Sequence, residues 1–390
     1  MTSSSGVGSW PGTRPREAVV AVRDLLGDGI PHLPELPARG VGADMIGRAA
    51  ALLEGLHVET QPYGWRFADR PGKDEGRAAA FLREDLDELA EAYDGWSGPL
   101  KVRVTGPWTL GASIELTRGE RAVADHGARR DLASSLAEGV ASHLDGVQRL
   151  VPGADLVVQI DEPGLPAVLE GRLPTQSGYG RLRAVDRAEV RDGLREVLDA
   201  AGERTTVVHC CAGDVPVELL RESGAGAISL DTSLLDEARW GQLAEAVEAG
   251  VVLWAGAVPT TGGDWRTARD LLVGPRQRIG LPTTALGDLV VTPTCGLAGT
   301  PPSAAVSVLR TTTDLASALT DRPPGEHKRS SWCISWRLTP RSAPRRPLVH
   351  SPGTNPGEAQ AEGEWISRLR ILPVGPLGSS SRTQTSRGYL

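Results

Sequence analysis

Four side chains in the second half of the chain have the types a metal centre needs. His209-Cys210-Cys211 follows the β-branched run at 205–208, Asp231 ends Ala227-Ile228-Ser229-Leu230, and Cys295 ends Leu289-Val290-Val291-Thr292-Pro293-Thr294. An imidazole, two thiolates and a carboxylate suit tetrahedral Zn²⁺. His209 and Cys211 are two residues apart, so on an extended backbone both reach one ion while Cys210 points away. The alternative is a set of unrelated buried residues, because free cysteine is common in cores. The chemistry such a centre offers is thiol activation. A free thiol has a pKa of ~8.5 and is mostly protonated at neutral pH, whereas zinc binds and stabilises the thiolate. The remaining cysteine, Cys333, falls in a different kind of segment and is not assigned to the site.

These donors meet only if strand ends converge. Short apolar runs expected as strands are Gly6–Trp10, Ile30–Leu36, Leu100–Thr105, Asp155–Ile160, Thr205–His209, Ala227–Leu230, Val251–Ala255 and Asp288–Thr292. Each precedes a stretch with helical period: Arg16–Leu26, Ala43–Leu56, Arg77–Tyr93, Ala128–Leu150, Arg187–Ala201, Leu234–Ala249, Arg266–Ile279 and, more weakly, Ser303–Leu319. Pro15 opens the first helix, and Gly27, Gly202 and Gly250 follow later ones. Eight βα units with continuous apolar strands predict an α/β fold, a (β/α)₈ TIM barrel, in preference to a doubly wound open sheet. In a barrel the strand C-termini share one face, which is where His209, Cys211, Asp231 and Cys295 would meet.

The chain has 390 residues and a net charge of −7, distributed unevenly. Residues 1–320 carry 31 basic against 44 acidic residues, and residues 321–390 carry 11 against 5. An acidic body argues against nucleic acid as a partner for 1–320. No run of 18 apolar residues is present, so no membrane span is expected, and Met1-Thr2-Ser3-Ser4-Ser5 lacks the basic and apolar parts of a signal peptide. A cytoplasmic location with reduced cysteines follows as the expectation, which favours metal binding over disulfides. The domain boundary is placed at 320. Residues 321–390, rich in Pro, Ser, Arg and Gly, are expected to be a disordered tail irrelevant to the chemistry. Gly6-x-Gly8-x-x-Pro11-Gly12 superficially suggests a dinucleotide loop, but Pro11 stands where glycine is required.

A set of motifs, in order over about residues 6–299, resembles the catalytic barrel of cobalamin-independent methionine synthases. They are Gly8-Ser9-Trp10-Pro11, Thr105-Gly106-Pro107-Trp108-Thr109-Leu110, Gln159-Ile160-Asp161-Glu162-Pro163, His209-x-Cys211, Ser229-Leu230-Asp231-Thr232-Ser233 and Pro293-Thr294-Cys295-Gly296-Leu297. The Gln-Ile-Asp-Glu-Pro run ahead of His-x-Cys is the specific part. The resemblance implies a barrel of the type shared with uroporphyrinogen decarboxylase, zinc on His209, Cys211, Asp231 and Cys295, and a small thiol acceptor, homocysteine. It implies Asp161 on the amine of homocysteine, as the catalytic-site carboxylate, Ser9 on its carboxylate, and Glu35 as a further acidic contact. Read without the family, Asp161 suits an ammonium contact more than a strand-end cap, Ser9 is as readily a turn residue as a substrate contact, and Glu162 leans towards a structural role.

The chain also departs from that family. Full-length members carry a second, N-terminal barrel without counterpart in these 390 residues. The family's folate-stacking tryptophan has no equivalent in Gly111-Ala112-Ser113, and its Asp and His after strand seven are missing from Val258-Pro259-Thr260-Thr261. Asp231 stands where the family has Glu. The thiol half is kept and the folate half eroded, so the methyl donor is expected to be a methyl-corrinoid, free or on a carrier protein, rather than methylfolate. Two other readings stay open. One is a zinc-thiol barrel without turnover. The other is a decarboxylase of the uroporphyrinogen type, for which Arg14 and Arg39 are the visible anion-binding candidates.

Overall fold

The computed structural model describes residues 2–278 and 289–320. The expected tail, 321–390, lies outside the described residues, as do Ile279 and Asp288 at the ends of two expected elements.

Ten strands occur among the described residues: β1 (Ser3–Ser4), β2 (His57–Gln61), β3 (Gly64–Ala68), β4 (Gly98–Thr105), β5 (Ile114–Glu115), β6 (Ala154–Asp161), β7 (Thr205–Cys210), β8 (Ala227–Asp231), β9 (Val252–Val258) and β10 (Val290–Pro293). Seven form one curled, all-parallel sheet in the order β1-β10-β9-β8-β7-β6-β4. Its two edges are joined by residues 30–35. Ile30 N donates to Ser4 O at 2.7 Å, Lys101 N to Pro31 O at 2.8 Å, and Leu33 N to Lys101 O at 3.0 Å. This segment is the expected second strand, but it pairs only through isolated bridges, Ser5 to Ile30, His32 to Lys101 and Ser9 to Glu35. Pro31 and Pro34 have no N–H to give, so a continuous ladder cannot form. With that stave the sheet has the eight staves of the expected barrel. The first strand is shorter and earlier than expected, with Ser3–Ser4 in the ladder and only bridges at Ser5 and Ser9.

The helices Pro15–Leu26, Lys73–Ala92, His126–Leu150, Arg187–Asp199, Glu237–Glu248, Trp265–Arg278 and Pro302–Thr320 surround the sheet. The stretch expected as one helix over Ala43–Leu56 forms only Met45–Ala50, capped by Asp44, which accepts from Ile46 N and Gly47 N. Sequence reasoning missed the small sheet β2-β3-β5 and the short helices Pro107–Ser113, Leu165–Leu169 and Val217–Glu222. In β2 only Val58 is buried, so no apolar alternation announces the strand. Among the described residues no helix is long and apolar enough to cross a membrane.

Strand parity separates two cores. Val102, Val104, Val158, Ile160, Val208, Ile228 and Leu230 face the helices, together with Cys210. The alternate residues Val157, Val207, Ala227, Trp254 and Val290, with Ile30, fill the inside of the barrel. A side-chain period of two then dictates what lies above that plug, towards the strand C-termini: Gln159 and Asp161, His209, Ser229 and Thr292. All five are buried polar residues. On β4 the register pairs Lys101 with Val157, Arg103 with Gln159 and Thr105 with Asp161, so these three share the interior.

Candidate metal and thiol site

His209, Cys211 and Cys295 are brought together as the sequence predicts. Their ligand atoms all lie within 4.8 Å of one another. The Cys211 and Cys295 sulfurs are 3.6 Å apart, far beyond a disulfide bond. Two thiolates on one tetrahedral zinc, each at ~2.3 Å, are separated by roughly 3.8 Å, so this spacing fits a shared ion. His209 Nδ1 lies 2.9 Å from Ser229 Oγ, its register partner on β8. That contact leaves Nε2 as the ring nitrogen to meet a metal, as outer hydrogen bonds do in metal sites generally. Cys210 faces the outer core, and burial pushes its thiol up to about 12.

Cys211 and Cys295 are shifted in opposite directions. The contact between the two sulfurs, with a further bond from His209, draws the Cys295 thiol down to about 4. The same contact, followed by burial, pushes Cys211 up.

Asp231 does not join this cluster. Its Oδ1 accepts from Ser233 N at 2.9 Å and Ser233 Oγ at 2.6 Å, closing the turn at Thr232–Leu234. The shorter aspartate side chain is held by its own turn rather than reaching the sulfurs.

Ser9 sits against the loop that bears Cys295. Its Oγ accepts from Ala298 N at 3.3 Å, and its carbonyl accepts from Leu297 N at 3.0 Å. A Cβ on Gly296 would lie 2.1 Å from Ser9 Oγ, so glycine after Cys295 is what lets the two segments touch. Asp161 and Glu35 are both buried, at 2% and 3% exposure. Asp161 Oδ1 accepts from Gln159 Nε2 at 2.7 Å, and Gln159 in turn accepts from Lys101 Nζ. Glu162 is structural. Its carboxylate accepts from Trp108 N, Thr109 N and Thr109 Oγ1 at 2.9, 2.8 and 2.6 Å, tying down the start of the helix Pro107–Ser113.

Arg103 was missed from the sequence. Its guanidinium pairs with Glu35 through Nη2 and lies 3.2 Å from Asp161 Oδ2 through Nε. The signal was present in β4, where Lys101, Arg103 and Thr105 alternate with Leu100, Val102 and Val104. Trp108 is buried, with its indole N–H donated to Val190 O at 3.0 Å, and so is committed to packing. Arg39 pairs with Asp85 at 2.7 Å and with Glu84 at 3.2 Å, and the exposed Arg14 pairs with Glu17 at 2.5 Å. Neither is an unpaired anion receptor of the kind a decarboxylase for a polycarboxylate requires.

Comparison with known proteins assigns the chain to a family. The family model described as "Cobalamin-independent synthase, Catalytic domain" matches residues 1–318. The chain belongs to this family. Its members are zinc-dependent in general, and His209, Cys211 and Cys295 form a candidate metal site here. A B12-independent methionine synthase from Shewanella sp. W3-18-1, solved in complex with selenomethionine, is similar in fold. Its TM-score is 0.53 at 13% identity, covering 81% of this chain and 97% of that one. A methyltransferase from Methanosarcina mazei is also similar, with a TM-score of 0.51 at 16% identity over 80% of this chain and 93% of that one. No curated protein sequence matches the chain.

Proposed function

We propose that this barrel is a zinc-dependent S-methyltransferase acting on a small thiol, the reaction type of a family whose reference acceptor is homocysteine. The observation that carries the reading is the gathering of one imidazole and two sulfurs, from the ends of two separate strands, within 4.8 Å. Zinc held there supplies Lewis acidity, which favours the thiolate form of an acceptor at neutral pH. The chain's own residues do the rest. Ser229 orients His209, Ser9 lies against the loop that bears Cys295, and Asp161 with Glu35 forms the acidic wall of the acceptor site. Asp231 lies outside the donor set, with its Oδ1 held by Ser233.

The methyl donor we propose is a methyl-corrinoid rather than a folate. Support comes from what the chain places after β9, where Val258-Pro259-Thr260-Thr261 offers no acid–base group, and from Trp108, which is occupied in the core. A departing corrinoid needs no proton, so the missing group costs that reaction little.

Metal analysis of the purified protein, followed by methyl transfer assays with methylfolate and methylcobalamin side by side, tests both parts. Stoichiometric zinc with turnover from methylcobalamin is expected. Robust turnover with methylfolate defeats the donor assignment, and a metal-free, inactive protein defeats the enzyme assignment in favour of a non-catalytic barrel.

A further inference from the structure

In the acceptor site, the place of an ammonium group is taken by the protein itself. Asp161 and Glu35 are the two carboxylates available to bind an amino group, and Arg103 lies on both. All three side chains are at least nine-tenths buried, with exposures of 8% for Arg103, 2% for Asp161 and 5% for Glu35. Arg103 is also boxed in. A Cβ on Gly8 would lie 2.1 Å from its Cδ, so its stem runs directly against the backbone of the segment that carries Ser9.

The surrounding charges are matched one to one, although Asp161 Oδ2 and Arg103 Nε, 3.2 Å apart, make no hydrogen bond. Glu35 has a second partner in Arg48, whose Nε is 3.3 Å away, and Arg48 also pairs with Asp85. Asp85 is held in addition by Arg39. Three buried carboxylates thus face three guanidiniums. The nearby Lys101 ammonium is bound to neutral acceptors, the carbonyls of Gly6 and Val7 and the amide of Gln159. A substrate ammonium entering here would meet acids already neutralised and would have to displace a buried ion pair, leaving one cation without a partner.

We propose that Arg103 is a specificity-determining residue that selects acceptor thiols lacking a free ammonium group. This inference rests on the thiol-methylation reading and narrows its substrate class. The acceptor is a small thiol whose other end is neutral or anionic, such as a mercapto acid, rather than an α-amino acid.

The test uses the full chain loaded with Co²⁺ in place of zinc, so that a thiol joining the metal is read from its absorption spectrum without any methyl donor. The probes are L-homocysteine and 4-sulfanylbutanoate, which share one skeleton and differ only by the amino group. The wild type is expected to bind 4-sulfanylbutanoate about tenfold tighter or more, and Arg103→Met to reverse the order by freeing Asp161 while Glu35 keeps Arg48. In R103M, homocysteine should also raise the melting temperature more than the deamino thiol does, because only homocysteine repairs the missing charge pair. Should R103M fail to fold, the wild-type ratio alone decides. Wild-type binding of homocysteine within about twofold of the deamino thiol, or tighter, overturns the selection while leaving the thiol site standing. Absence of any spectral change with both thiols overturns the thiol reading and the selection together.

Discussion

His209 Nδ1 and Ser229 Oγ lie 2.9 Å apart on neighbouring, in-register strands. The hydroxyl fixes the ring's orientation and so decides which nitrogen faces the sulfurs. Ser229→Ala removes that constraint without touching a ligand. Metal affinity should fall about 10- to 100-fold, the usual effect of losing such an outer contact. Competition with a chromophoric chelator measures it, and unchanged affinity would show that ring packing alone orients His209.

Two cysteines adjacent in sequence should respond in opposite ways. Cys211 contributes one of the two sulfurs 3.6 Å apart, while Cys210 is buried against the helices. Cys295→Ser or Cys211→Ser should leave the purified protein largely free of zinc. Cys210→Ala should keep full zinc content and lose only about 1 kcal/mol of stability, as a small buried group removed from a core. Metal content per chain, with a denaturation curve for each variant, separates the two roles.

Lys101 gives the barrel interior a pH signature. It is fully buried, and burial draws its ammonium down to about 7. The folded chain therefore binds fewer protons at this site than the unfolded chain between about pH 7 and the ordinary lysine range near 10.4. Stability contributed by this residue should rise with pH across that window and be lowest at pH 7 and below. Relative to Lys101→Met, wild type should gain up to ~1 kcal/mol for each pH unit in the window. Urea denaturation of both proteins at pH 7 and pH 9.5 reads the difference, and parallel behaviour would show that Lys101 is not the group responsible.

Much of this was legible because barrel chemistry is written at strand ends. His209, Cys211 and Cys295 could be picked out by type and spacing, and a (β/α)₈ barrel was the fold able to unite them. Asp231 was not resolvable in that way. Whether its carboxylate turns to a metal or to Ser233 depends on one methylene and one turn, which spacing does not encode. Arg103 was hidden for a different reason. A charged residue in an apolar run reads as a solvated face, and its partners Glu35 and Asp161 are 68 and 58 positions away in the chain. The hairpin of β2 and β3 carries too few buried residues to leave a pattern.

Two of the three glycines in the helix His126–Leu150, Gly139 and Gly146, should answer substitution with opposite signs. Gly139 faces the segment that follows the helix Met45–Ala50, where a Cβ would lie 1.7 Å from the carbonyl oxygen of Leu52. On the same face Ser135 Oγ donates to Glu54 O at 2.8 Å, so helix and segment are held close and the backbone oxygen cannot retreat. Gly139→Ala gains ~1 kcal/mol of helix propensity but must push apart a packed backbone contact, which costs typically 1–3 kcal/mol and more against a carbonyl. The net effect should be destabilising by about 1–2 kcal/mol, and the displacement is passed towards Arg48, which contacts Glu35. Gly146, two turns further on, would place its Cβ no closer than 3.9 Å to the flexible end of Arg149. Gly146→Ala should therefore stabilise by up to ~1 kcal/mol through propensity and a less mobile unfolded chain. Thermal denaturation of the pair, each against wild type, checks both signs. A stable Gly139→Ala protein would mean that the segment around Leu52 yields, and that the position of Arg48 is not set by this helix.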